Sequence, residues 1–150
     1  MHNEKYDCLA NRNFLNYEFE SYGPKGSIKK VVRFSPQNAD GITYFNLGFG
    51  DLNTATGEID DLSISDNKDK DIVLSTIASI VIDFTSVFPD IMVYAKGSTS
   101  SRNRLYQMGI AANLEEITAL VEVFGFKDNT WKPFEKNINY EAFIVLRKQK

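Results

Sequence analysis

Apolar residues first alternate along this chain, then recur at helical spacing, then alternate again. Tyr17 to Ser21 and Ser27 to Ser35 have the two-residue period of strands, and Gly23-Pro24-Lys25-Gly26 between them is a strong turn signal. In the second strand Ile28, Lys30, Val32 and Phe34 share one face. Lys29, Val31 and Arg33 share the other, so the strand reads as half exposed. Pro36 to Gly41 reads as a loop. Ile42 to Leu47 is a predicted third strand ending in Gly48-Phe49-Gly50-Asp51, where the glycines read as a bulge or tight turn with positive φ. After a turn at Thr56-Gly57, Glu58 to Ser63 gives a weaker fourth strand with outward charges.

The period then changes. Val73, Ile77, Ile80, Val81, Phe84, Val87 and Phe88 mark one apolar helix face. Asp66 or Asn67 can cap this helix, Asp69 and Asp71 suit its first turn, and Pro89 closes it. Ile91 to Ala95 is a short strand, apolar on both faces and so central in a sheet. If it runs parallel to the strand before the helix, the connection is a right-handed crossover. A helix from about Ser100 to Met108 breaks near Gly109. Asn113-Leu114-Glu115-Glu116 starts another, lined by Leu114, Ile117, Leu120, Val121 and Phe124 and stopped by Gly125. Phe126 to Phe134 reads as a strand or irregular edge, and Tyr140 to Arg147 as a final central strand. The order predicts an α+β fold: a mostly antiparallel sheet of about six or seven strands, packed by one long helix and two shorter ones. One domain is expected over residues 1–150, with residues 1–15 frayed.

Composition narrows the compartment and the chemistry. A formal net charge of −3 argues against a non-specific nucleic-acid binder working by counterion release. The charges are segregated, however, with an acidic block from Asp51 to Asp71 and basic residues at Lys25, Lys29, Lys30, Arg33, Lys96, Arg102 and Arg104. Cys8 is the lone cysteine and suits a reducing cytosol. Met1 to Asn16 is polar, unlike a signal peptide. The apolar run Ile72 to Phe88 carries Ser75, Thr76, Ser79, Asp83, Thr85 and Ser86, as a buried helix does and a membrane span does not. A cytoplasmic protein with no membrane association is expected.

The richest candidate chemistry is the strand–turn–helix junction around Lys96-Gly97-Ser98-Thr99. Gly97 allows close backbone approach, Ser98 and Thr99 add hydroxyls, and Lys96, Arg102 and Arg104 supply charge for a phosphate or carboxylate. The same residues equally make a capped helix start. The spacing of a phosphate-binding Walker loop is missing, and so is the carboxylate pair of a metal-dependent transferase turn. Gly48-Phe49-Gly50 lacks the third glycine of a dinucleotide fingerprint, although Asp51 could share a cleft with the Gly97 turn. Asp66 to Asp71 has lysines where a calcium loop needs oxygen ligands, so its acids read as helix capping. One histidine, His2, and one cysteine supply neither a zinc site nor a Ser–His or Cys–His nucleophile. No catalytic residue, metal or cofactor is assigned. Trp131 and Tyr140 read as closing the core.

Five segments carry a resemblance. They are Tyr17 to Gly26, Asn46 to Asp51, Asn67-Lys68-Asp69 leading into Val73 to Ile77, Gly97-Ser98-Thr99 with Arg102, Leu105 and Tyr106, and Tyr140 to Phe143. In this order the chain resembles a family of small single-domain bacterial proteins, common among the Bacteroidota and of unknown function. The resemblance implies a bacterial cytosolic protein and a compact domain, and it brings no activity, cofactor or catalytic residue. It also implies that Gly97, Ser98, Thr99, Arg102 and Asp51 do more than punctuate the backbone. The expected function is an anion-binding module for a nucleotide or nucleic-acid phosphate at Gly97–Arg104. The alternatives are a protein–protein interaction module and a histidine-free phosphoester enzyme using Asp51.

Overall fold

In the computed structural model, which describes residues 4–60 and 66–149, three helices cover one face of a nine-stranded sheet. The strands are β1 (Leu9–Ala10), β2 (Asn16–Gly23), β3 (Gly26–Ala39), β4 (Ile42–Leu52), β5 (Ile59–Asp60), β6 (Val93–Ala95), β7 (Val121–Lys127), β8 (Thr130–Pro133) and β9 (Ala142–Arg147). The helices are α1 (Lys70–Val87), α2 (Ser100–Ala112) and α3 (Leu114–Thr118). The sheet runs β1-β2-β3-β4-β6-β9-β7-β8, with β5 also against β4. The fold is α+β, and among the described pairings only β4 with β6 is parallel. That pairing makes α1 a crossover connection.

Register carries the core across the sheet. Val32 pairs with Phe49, Phe34 with Leu47, Phe45 with Val93, Val93 with Val145, and Val145 with Val123. All these side chains lie on the helix-covered face, as the alternation of strands requires. Phe84 of α1 is fully buried, its ring stacked 3.7 Å from Phe34 and edge-on to Phe45 at 5.0 Å. The opposite face carries a partly exposed aromatic row. There Tyr44 meets Tyr94 at 5.8 Å, Tyr94 meets Trp131 at 6.3 Å, and Phe126 meets Trp131 at 5.0 Å.

Several predicted elements need correction. Pro36 lies inside β3, paired with Phe45, and the turn is Asp40-Gly41, both at positive φ. Phe34 N–H points to the β2 side, where it meets the Leu15 carbonyl. The ring nitrogen of Pro36 faces the same side, beyond the last β2 pair Asn16–Arg33, so no ladder donor is missed. Gly48 and Gly50 are neither bulge nor turn but extended residues of β4, opposite Arg33 and Val31. Gly50 is needed for space, because a Cβ there would lie 2.2 Å from the Asp60 carbonyl oxygen. Of the predicted fourth strand only Ile59–Asp60 is strand among the described residues; Glu58 precedes it, and residues 61–63 lie outside the described residues.

Helix α1 has Asp69 at its N-cap, two or three residues later than expected, and the Asp69 side chain makes no capping bond. Helix α2 runs unbroken through Gly109, whose missing side chain lets Leu74 pack close; a Cβ would sit 3.3 Å from Leu74 Cδ2. The predicted helix through Phe124 stops at Thr118. From Val121 the chain is β7, with Val121, Val123 and Gly125 buried in alternation. The stretch after it is a regular hairpin, β7 to β8, turning at Asp128-Asn129 with both residues at positive φ. Tyr140 is buried as expected, but Trp131 is 38% exposed on the opposite face and closes no core. Residues 4–15 carry β1, and the Tyr6 N–H donates to Thr76 Oγ1 on α1 at 2.8 Å.

Candidate functional site

Parallel pairing of Leu47 with Ala95 settles the relative place of two sequence-predicted features. The ends of β4 and β6 point the same way, so the Gly48–Asp51 stretch and the Gly97 turn share one end of the sheet. The chain leaves β6 there to start α2, and the N-terminus of α1 returns to the same end. A cleft of about 330 Å³ opens between them, with Lys30, Phe49, Asn67, Asp69, Arg102 and Tyr106 among its walls.

Two cations meet over one ring in this cleft. Lys30 is 5% exposed and Arg102 is 3% exposed. Arg102 Cζ lies 5.1 Å from the centre of the Phe49 ring, and Lys30 Nζ lies 6.0 Å from it, both within cation–π range. Lys30 Nζ also donates to Asp51 Oδ1 at 2.5 Å. The alternation of β3 and β4 dictates this grouping. Lys30 pairs with Asp51 and Val32 with Phe49, so all four side chains project toward the helices.

The Gly97 turn itself is occupied by its own chain. Gly97 N–H donates to Asn103 Oδ1 at 3.0 Å, and Thr99 Oγ1 accepts from Arg102 N–H at 3.1 Å as the N-cap of α2. Asn103 Nδ2 donates in turn to the Tyr140 carbonyl at 2.8 Å, tying the turn to the segment that enters β9. A Cβ on Gly97 would lie 2.1 Å from the Asn103 nitrogen, so this glycine is required by close packing of turn and helix. Of the residues assigned to the turn, Arg102 faces the cleft, whereas Lys96, Ser98 and Arg104 are exposed. Two residues of α-helix rotate the chain by roughly 200°, so Arg102 and Arg104 leave the helix on nearly opposite sides. Asp51 reaches the cleft region through Lys30.

On the far wall, Asn67 and Asp69 lock the β2–β3 hairpin to the start of α1. Asn67 Nδ2 donates to the Gly26 carbonyl at 2.9 Å and to Ser21 Oγ at 3.1 Å, and its Oδ1 accepts from Lys25 N–H at 2.7 Å. Asp69 Oδ2 accepts from Tyr6 Oη at 2.6 Å and from Ser21 Oγ at 2.5 Å. Burial and that bond to Asp69 hold the Tyr6 phenol above its ordinary pKa. All five segments that carry the family resemblance therefore meet at this end of the molecule. Sequence reasoning missed Lys30 and Phe49 as site residues, although the signal was a lysine on a strand face otherwise made of Ile28, Val32 and Phe34. Among the described residues no group of three or more His, Cys, Asp or Glu side chains is placed to hold a metal.

The fold and cleft thus define an α+β protein with a charged pocket, lined by Lys30, Lys70 and Arg102 but also by Asp66 and Asp69, at the end of the parallel pair among the described strands. The chain belongs to a family of unknown function, DUF6934, whose model matches residues 2–148. No curated protein and no solved structure matches it.

Proposed function

We propose that this protein binds a small oxyanion, the phosphate or carboxylate of a nucleotide-like or nucleic-acid ligand, in the cleft between β3, β4 and the starts of α1 and α2. The observation that supports the reading is the pair of buried cations, Lys30 and Arg102, set against Phe49 where two helix N-termini converge. A guanidinium presents a planar fork that fits such an oxyanion, and the enclosed setting strengthens each charge-assisted bond. The Gly97 turn serves this site indirectly, by fixing the first turn of α2 from which Arg102 projects. No reaction is assigned; Lys30 shares its charge with Asp51, so it would meet the anion while still paired. The family resemblance and the exposed Cys8 support placing the protein in a bacterial cytosol.

Amide-shift titration with inorganic phosphate, a nucleotide panel and short RNA and DNA tests the proposal. Shifts at Phe49, Lys70 and Arg102 are expected. Arg102→Gln should weaken binding by about 10- to 100-fold, the loss of one charge-assisted bond, and Arg104→Gln by less than about twofold. Silence at those amides at millimolar ligand overturns it. A second reading, a protein-interaction module, is supported by the partly exposed aromatic face around Tyr94 and Trp131. Pull-down from the native host with wild type and Trp131→Ser tests that one. A partner retained equally by both would refute the role of the face.

A further inference from the structure

The cleft does not end at its polar wall. Behind it, between α1, α2 and the sheet, lies an apolar cavity of about 60 Å³. The two spaces share four residues: Leu74 and Ile77, one turn apart on α1, and Leu105 and Tyr106 on α2. The inner cavity exists because Ala78, Ala95 and Gly109 are small where neighbouring core positions are large. Its walls offer almost no polar partners, so water there is poorly hydrogen-bonded. A matching apolar group that displaces such water gains dispersion contacts with the walls and is favoured.

We infer that the ligand of the cleft is an oxyanion carrying a short apolar chain, its head held by Lys30 and Arg102 and its chain threaded between Leu74 and Leu105 into the inner cavity. The inference rests on the anion reading above, keeps its oxyanion head and narrows the rest of the ligand from a nucleotide-like body to a short apolar chain. The charged head and the apolar chain sit at opposite ends of such a ligand, because Lys30 and Arg102, with Asp66 and Asp69, line the outer cleft and the inner walls are aliphatic and aromatic. The inner space is small, so the chain it takes is short, and the alkyl series below sets its length.

Calorimetric titration of the wild-type protein with inorganic phosphate, then methyl to hexyl phosphate, then acetate to hexanoate, tests this. Affinity should rise roughly fourfold for each of the first few methylenes and level off near butyl, the increment expected for burying each CH₂. Comparison of the two series shows whether phosphate or carboxylate is the preferred head. Methyl resonances of Leu74, Ile77 and Leu105 should shift with butyl phosphate and not with inorganic phosphate. Ala78→Leu fills the cavity and should flatten the series; if that variant fails to fold, the wild-type methyl shifts decide the question. Binding of every head group with no dependence on chain length overturns the apolar arm and leaves the anion reading standing. Binding of none of these compounds overturns this inference, and the nucleotide and nucleic-acid titration above then decides the anion reading separately.

Discussion

Replacing Asn67 by alanine removes a side chain that is 2% exposed and that bonds three different parts of the β2–β3 hairpin. Lys25 N–H loses its acceptor at 2.7 Å, and the Gly26 carbonyl loses its donor at 2.9 Å. Both belong to an exposed turn, so water replaces these partners, and each loss is worth about 1 kcal/mol. Ser21 is fully buried, and it loses a donor at 3.1 Å to its hydroxyl and a longer one at 3.4 Å to its carbonyl. Its hydroxyl still donates to Asp69, which limits that loss to about 1 kcal/mol. The total is about 3 kcal/mol, a fall in Tm of roughly 6–12 °C for a domain of this size. Urea unfolding at constant m-value is the assay, because an unchanged m shows that the loss belongs to the folded state. Gly23→Ala perturbs the same lock from the other side, since its Cβ would lie 1.9 Å from the Asn67 carbonyl oxygen. A loss below about 1 kcal/mol for Asn67→Ala would refute the lock as a stabilising element.

Further outcomes follow from the turn and from the buried phenols. Gly97→Ala should destabilise by about 1–3 kcal/mol through the clash with Asn103 and shift the Tyr140 ring environment, read by near-ultraviolet circular dichroism; unchanged stability would refute the close-packing account. Burial, with the bond to Asp83 at 2.7 Å, raises the Tyr17 phenol well above its ordinary value of 10.0, and burial raises Tyr6 and Tyr94 in the same direction. The folded state therefore keeps protons that the unfolded chain releases. The resulting stability is complete below about pH 10 and is lost as pH rises further. In Tyr17→Phe the decline above pH 10 should be shallower, by at most about 1.4 kcal/mol per pH unit, in urea unfolding run from pH 8 to pH 11.5. Equal slopes in variant and wild type would refute the burial argument for Tyr17.

Much of this architecture is legible in the chain where one period dominates. The apolar face of α1 and the alternation of β2 and β3 predict their own packing, because Tyr17, Phe19, Val32 and Phe34 alternate inward and Ile77, Ile80 and Phe84 recur at helical spacing. Reading fails where two periods coincide. Leu114, Ile117, Leu120, Val121 and Phe124 fit a helix, but Val121-Glu122-Val123-Phe124 also alternates. Pairing with β9 on one side and β8 on the other decides for the strand. Pro36 reads as a breaker, yet its missing donor faces an unpaired side, which only the length of β2 determines. At the candidate site, Arg102 is visible in the sequence but its separation from Arg104 is not. Spacing of two residues looks like a cluster until the helix turns the pair apart. Lys30 needs the register with Asp51 before its inward position has a reason.

The parallel contact between β4 and β6 has a consequence for how this chain folds. It spans only three residue pairs, Phe45–Val93, Asn46–Tyr94 and Leu47–Ala95, whereas the meander β2-β3-β4 and the hairpin β7-β8 close over short loops. Closing a seam between residues so distant in sequence comes at a larger entropy loss than closing either hairpin. Each side is therefore expected to assemble locally and the seam to join last. The amides of Asn46 and Tyr94 then report on the rate-limiting step. The cleft has Lys30 and Phe49 on one side of that seam and Arg102 on the other, so a bound oxyanion would act on folding as a cross-strand staple.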